Sequence, residues 1–141
     1  MVENSCRAII SKDNKILLCK QSNPPRNYWT LPGGSVDVGE TLVECIQREA
    51  YEELGVSIAV GQLLFIRELI ADGRHRIEFL FSAEIADGLT SVNIVASNEI
   101  GSAEFFSLKD MDTIEVRPKC LHDLVKTHFD GGVLFPVYLG G

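Results

Sequence analysis

The sequence predicts an α+β sandwich, built on a mixed, largely antiparallel sheet, from three observations. Two pairs of strand-like apolar runs are each joined by a short turn, a helix with well-marked ends lies between the pairs, and another helix follows late in the chain. At 141 residues the chain can bury one hydrophobic core but not two, so a single domain over 1–141 is expected. The 45% apolar and 23% charged residues are proportions of an ordinary globular protein rather than a disordered one.

Taken in order, CRAIIS (Cys6 to Ser11) and KILLCKQ (Lys15 to Gln21) read as strands joined by the turn Lys12-Asp13-Asn14. NPPRNYW is a loop stiffened by Pro24 and Pro25, and Trp29, Leu31 and Pro32 lead into Gly33-Gly34. Paired glycines there signal that backbone freedom matters more than side-chain packing. Thr41 to Leu54 is a helix. Thr41 is placed to cap it, Glu44 completes a capping box, and Gly55 suits a left-handed carboxyl-terminal cap. Leu42, Ile46, Ala50 and Leu54, with Val43 beside them, give it a core-facing stripe.

VSIAVGQLLFIRELI and RIEFLFSAEI flank Asp72-Gly73 and predict a long antiparallel hairpin. Gly88 to Ser102 is polar and weakly patterned, which reads as a mobile loop with room for a short strand. EFFSL reads as a strand, LKDM as a turn of helix, and CLHDLVKTHF (Cys120 to Phe129) as a helix after Pro118. The tail GGVLFPVYLGG is apolar and is expected against the sheet or against a second copy, making a homodimer the default.

No apolar stretch approaches the ~20 residues of a membrane helix, and MVENSC lacks the basic start and apolar run of a signal peptide, so a cytoplasmic protein with no membrane partner is expected. Cys6, Cys19, Cys45 and Cys120 form no C-x-x-C pair and sit among apolar neighbours, so reduced, buried thiols are expected. His75, His122 and His128 show no metal-ligand spacing. The net charge of −7 is local: Gly34 to Val56 carries six acids and one base, leaving 14 acids and 12 bases elsewhere. An extended nucleic-acid surface would need a basic patch instead.

On the predicted helix Glu49, Glu52 and Glu53 lie at i, i+3 and i+4 and point from one face. Glutamates opposite an apolar stripe are usually a solvated face. Such a face normally alternates sign, however, and here a like-charged i,i+4 pair sits near the end of the helix where the dipole disfavours anions. Arg48 can pair with Glu44 and Glu52 but cannot neutralise them all. A cluster of hard carboxylate oxygens suits Mg²⁺ or Mn²⁺, an ion that keeps open positions for water and substrate phosphates.

Gly34, five residues, Glu40, seven residues, then Arg48-Glu49-Ala50-Tyr51-Glu52-Glu53-Leu54-Gly55-Val56 resembles the Nudix box, GX5EX7REUXEEXGU, at every fixed position over 23 residues. The resemblance implies a Nudix-type α/β/α sandwich and a Mg²⁺- or Mn²⁺-dependent hydrolase. Its substrate would be a small nucleotide, a nucleoside diphosphate linked to a moiety X, cleaved to a nucleoside monophosphate and phospho-X. It implies metal binding by Glu52, Glu53 and the Gly33 carbonyl, with Glu49 as third ligand or as base. Arg48 would orient the glutamates, Glu40 would brace the loop–helix junction, and Gly34 and Gly55 would have backbone roles. Related proteins also use a downstream glutamate as the base, for which this chain offers Glu99 and Glu104; Glu49 is preferred here.

No subfamily marker for substrate is found: Ile70-Ala71-Asp72 has neither the proline associated with ADP-ribose hydrolases nor the tyrosine associated with dinucleoside polyphosphate hydrolases. Lys20, Arg26, Arg67, Arg74 and Arg76 are of the type to contact phosphate, and Tyr28, Phe79 and Phe81 of the type to stack a base, but each is as readily a surface or core residue and none is assigned. Two alternatives stand beside the hydrolase, a nucleotide-sensing domain without catalysis and an enzyme trimming pyrophosphate from RNA 5′ ends. The intact box argues against the first.

Overall fold

The computed structural model describes residues 1–21, 27–86 and 100–140, so Arg26, Glu99 and the loop expected from Gly88 lie wholly or largely outside the described residues. Its elements run β1 (Val2–Lys12), β2 (Lys15–Gln21), β3 (Trp29–Thr30), β4 (Gly33–Ser35), α1 (Leu42–Leu54), β5 (Ile58–Ala71), β6 (Arg74–Ile85), β7 (Ile100–Phe106), α2 (Leu108–Met111), β8 (Val116–Arg117), α3 (Leu121–Phe129) and β9 (Val137–Leu139).

Strand β1 organises the sheet. One of its edges runs parallel to β6 from Val2↔His75 to Ile10↔Ala83. The other edge is shared: β4 pairs antiparallel at Ser5 to Arg7 and β2 at Ser11 and Lys12. Beyond β2 lie β7, β3 and β8, and beyond β6 lie β5 and β9. The expected tight turns form with positive φ at Asp13, Asn14, Asp72 and Gly73, the conformation that two-residue hairpin loops require.

Alternation along β1 divides the core between two layers. Cys6, Ala8 and Ile10 join Leu17, Cys19, Phe81 and the α1 residues Cys45, Ile46, Ala50 and Leu54 on one face. Ile9 joins Ile16, Leu18, Leu80 and the α3 residues Leu121, Leu124 and Val125 on the other. With α1 on one face of the sheet and α2 and α3 on the other, the α/β/α sandwich is the observed fold.

Several expectations need correction. The first strand starts at Val2 rather than Cys6 because its polar opening pairs with β6. Strands β3 and β4 were not expected. Each is only two or three residues long, too short for alternation to show, and each is held by distant partners. The predicted strand EFFSL extends back to Ile100 and ends at Phe106, because Ser107 caps α2 and Leu108 opens it. Cys120 is exposed, whereas the other three cysteines are buried as expected. Val43 is 39% exposed, and Cys45 takes its place in the buried stripe.

The apolar tail forms β9 against β5 of its own chain, which leaves association of two copies without support. Among the described residues no helix is long and apolar enough to cross a membrane.

Helix α1 has both predicted caps. Thr41 Oγ1 accepts from Glu44 N–H at 3.1 Å, Glu44 Oε1 accepts from Thr41 N–H at 2.9 Å, and Gly55 is left-handed at φ 66°. Thr41→Ala should therefore cost about 1 kcal/mol in a denaturant titration while leaving the slope unchanged. A loss below the error of the fit would mean that the capping box contributes nothing.

Candidate functional site

The stripe that packs α1 on the sheet determines where its glutamates go. Glu49 lies one turn after Cys45 and Glu53 one turn after Ala50, so they border the buried face instead of standing opposite it. The Glu49 side chain is only 16% exposed and Glu53 is half-buried, whereas Glu52 points outward with 58% of its side chain exposed. The three acids thus divide into an inner pair and an outer member.

Strand β4 explains the two glycines in front of them. Gly33 pairs with Arg7 and Gly34 with Cys6, and successive residues of a strand face opposite sides of the sheet. On the α1 side, a Cβ added to Gly34 would meet the Glu49 carboxylate at 2.5 Å. On the other side, a Cβ on Gly33 would meet the Cys6 carbonyl at 2.0 Å and Arg7 at 2.9 Å. Glycine at both positions lets the Glu49 carboxylate approach one side and the β1 backbone with the Arg7 side-chain stem the other.

The Gly33 peptide joins those sides. Its N–H donates to Glu53 Oε1 at 3.2 Å, and its carbonyl accepts from Arg7 Nη1 at 3.4 Å. Arg7 Nη1 also donates to the Leu31 carbonyl at 3.0 Å.

Arg48 supplies most of the counter-charge. Its Nε and Nη2 grip Glu40 at 2.9 and 2.8 Å, Nη1 reaches Glu49 at 2.9 Å and Glu52 at 3.2 Å, and Nη2 donates to the Ser35 carbonyl at 3.1 Å. Glu40 also accepts from Asp37 N–H at 2.9 Å, which ties the loop to the helix as the sequence suggested. The Arg48 bonds, and then that N–H, hold the Glu40 carboxyl down to about 2. Glu44 is not a partner of Arg48, because its carboxylate is taken by the capping box.

Glu53 responds differently. Burial first, then the neighbouring Glu49 carboxylate, push its carboxyl well above the usual range; Arg7 and the Gly33 N–H pull it back only in part. It therefore holds a proton at pH values where a free glutamate is charged. A divalent cation could displace that proton, and the donors present, the Gly33 carbonyl with Glu49 and Glu53, are the hard oxygens that Mg²⁺ and Mn²⁺ take. Among the described residues no three such side chains already stand in a ligating cluster. Arg48 pulls Glu49 and Glu52 together with Glu40 towards itself, so Glu52 would have to turn inward to join.

Glu104 is placed elsewhere. It lies within β7 rather than in a loop, opposite Leu18, on the face away from α1, and is exposed. The same face carries a cleft of about 630 Å³ whose cations among the described residues are Arg7, Arg67, Arg74, Arg76, Arg117 and Lys119, with Glu78 the one acid among the described residues of its lining. Arg7 connects this cleft to Gly33 and the glutamates. The sequence reading named Arg67, Arg74, Arg76 and Tyr28 without assigning them, and missed Arg7, Arg117 and Lys119. Every second residue of RHRIE is charged, which was the available signal. The cleft has the size of a small-molecule site and is basic within an acidic chain.

The family model described as the NUDIX domain matches residues 4–124. An ADP-ribose pyrophosphatase of Methanocaldococcus jannaschii is 39% identical over 106 residues, covering 73% of this chain and 60% of that protein. The uncharacterized Nudix hydrolase YvcI of Bacillus subtilis is 30% identical over 112 residues, 78% of this chain and 69% of that protein. The crystal structure of a UDP-X diphosphatase superposes with a TM-score of 0.81 over 97% of this chain and 67% of its own, at 24% identity, a likeness of fold.

The raised Glu53 carboxyl has a consequence for the metal-free protein. Its contribution is present below the ordinary carboxylate range and is lost as pH rises through the raised value, so ionising it destabilises the fold. Glu53→Gln should unfold at a higher temperature than the parent in EDTA, with a gain that grows from mildly acidic to alkaline pH. A gain independent of pH would show that Glu53 ionises as a free carboxylate.

Proposed function

The chain belongs to the Nudix family, and on that premise we propose that it is a divalent-metal-dependent pyrophosphohydrolase. Its substrate is a nucleoside diphosphate linked to a further moiety X, and its products are a nucleoside monophosphate and phospho-X. The observation that carries this reading is the approach of Glu49 to Gly34, which sets two carboxylates against a backbone that no side chain obstructs.

In this reading Glu53, Glu52 and the Gly33 carbonyl hold the ion, Mg²⁺ or Mn²⁺. When bound, the ion neutralises phosphate charge and makes water more acidic. Arg48 keeps Glu49 fixed beside Gly34, and Glu40 anchors Arg48 in turn. Glu49 accepts the proton of the attacking water. Glu104 lies on the other side of the sheet from α1, opposite Leu18, and Glu49 is preferred over it as the base. Arg7 stands between the glutamates and the cleft, where its guanidinium can take a non-bridging phosphate oxygen in place of the long bond to Gly33.

A basic cleft of small-molecule size supports a nucleotide derivative over an extended nucleic acid. The intact set of glutamates supports catalysis over nucleotide sensing. ADP-ribose is the first substrate to test, because the Methanocaldococcus jannaschii relative is an ADP-ribose pyrophosphatase.

Nucleoside triphosphates, nucleotide sugars, ADP-ribose and dinucleoside polyphosphates, assayed with phosphate products resolved, should yield a nucleoside monophosphate from at least one. EDTA should abolish turnover, and Mg²⁺ or Mn²⁺ should restore it. Glu53→Gln should remain folded and lose nearly all activity. Turnover by that variant at the parent's rate in saturating Mg²⁺ would remove Glu53 from the site.

A further inference from the structure

The basic cleft does not end at β5. A second pocket of about 420 Å³ adjoins it, because Arg67 and Leu69 line both. The rest of its wall is of another kind, made chiefly by Ile70, Ala71, Cys120, Leu124 and Leu139. Both charged side chains described in its lining are already engaged. Glu68 accepts from Tyr138 Oη at 2.6 Å and lies 2.5 Å from His75 Nε2, and Arg67 is held by Glu78 at 2.7 Å. The pocket therefore offers a ligand apolar surface rather than charge.

One polar feature is left over. Strand β9 pairs with β5 only from Phe65 to Arg67, where Leu139 is the last partner. Beyond it, the outer edge of β5 from Glu68 to Ala71 has no strand partner among the described residues, while the inner edge stays paired with β6. An open strand edge presents unpaired N–H and C=O groups. Apolar walls with backbone donors and acceptors along one side suit a flat heteroaromatic ring, apolar on its faces and polar at its rim. A hydrocarbon chain would leave those backbone groups unmet. Four residues of open edge are also short of the five or six of an average strand, which argues against an added peptide strand.

A row of side chains joins this pocket to the glutamates. Arg7 donates to the Gly33 carbonyl at 3.4 Å and lies 3.7 Å from Glu78, and Glu78 in turn accepts from Arg67. The row crosses β1, β6 and β5 and ends where the apolar wall begins. Anion-binding groups beside the glutamates and an apolar pocket at the far end follow the order of phosphate, sugar and base in a nucleotide.

We propose that the pocket between the open edge of β5 and the start of α3 seats the nucleobase of the substrate, with the rim of the base read by the backbone of Glu68 to Ala71. The ligand class is a nucleotide whose phosphates lie in the basic cleft. That identity rests on the pyrophosphohydrolase reading, whereas the pocket rests on its own lining. Cys120, the exposed cysteine of the four, stands in that lining and reports on its occupancy.

The test is the rate of Cys120 alkylation by N-ethylmaleimide, followed by mass spectrometry on the intact protein in EDTA. At ten times its dissociation constant, at least one of ADP, GDP, CDP and UDP should slow alkylation about tenfold. Inorganic pyrophosphate, which lacks a base, should not slow it. Ala71→Trp, at an exposed position, should fill the pocket, weakening that nucleotide about tenfold or more by calorimetry and leaving pyrophosphate affinity unchanged. If that variant folds poorly, the parent already alkylated at Cys120 supplies the same comparison. Equal protection by pyrophosphate, protection by none of the four nucleotides, or unaltered nucleotide affinity in the filled pocket would overturn the assignment. Protection that grows with protein concentration in the absence of nucleotide would overturn it in favour of a second copy. A nucleotide that protects Cys120 while none of its diphosphate derivatives is hydrolysed with Mg²⁺ would instead remove the hydrolase reading and leave the pocket standing.

Discussion

The close contact between the Glu49 carboxylate and the backbone of Gly34 is the constraint on which the site depends. Helix α1 could pack its apolar stripe on the sheet with a larger residue at position 34. It could not then keep Glu49 at the sheet's edge, because a Cβ would occupy the space that the carboxylate fills. The neighbouring Gly33 does the same for Arg7 on the other side. One short strand thereby has an acid on one face and a base on the other, and its Gly33 peptide is hydrogen-bonded to Glu53 and Arg7.

Crowding of like charges on α1 is relieved in two ways. Arg48 binds Glu40 through two nitrogens, reaches Glu49 and Glu52 with a third and lies 3.5 Å from Asp37, so one guanidinium serves four carboxylates. Glu53, out of its reach, is relieved by keeping a proton, since burial and Glu49 both disfavour its charge. This second solution is the weaker one, and a cation is the natural replacement for the proton. On the proposed function, the acidity that looks costly in a bare helix suits the site to accept a positive ion.

Much of this was legible in the sequence. The capping box, Gly55, and the spacing of Glu49, Glu52 and Glu53 are local features, and local features survive reading in one dimension. The hairpin across Asp72-Gly73 is of the same kind. Strand β4 was not legible, because three residues carry no period and their partner lies about thirty positions earlier. The helix stripe was read with Val43 where Cys45 belongs, which hid the fact that Glu49 and Glu53 border the core. The basic cleft was hidden for a different reason. Its cations come from β1, β5, β6, β8 and the start of the segment before α3, and a net charge of −7 gives no sign that folding gathers them on one face. Net charge describes the chain, whereas a ligand meets only the residues that the topology brings together.

The most direct measurement is calorimetric titration of Mn²⁺ into the parent and into Gly34→Ala, both shown to be folded and both with a non-hydrolysable nucleotide present. The parent should take up the ion with release of protons, since Glu53 gives one up, and the variant should bind far more weakly because displacing Glu49 moves the Glu53 carboxyl that is hydrogen-bonded to it. Equal uptake by the two proteins would show that the contact between Glu49 and Gly34 does not support the metal site.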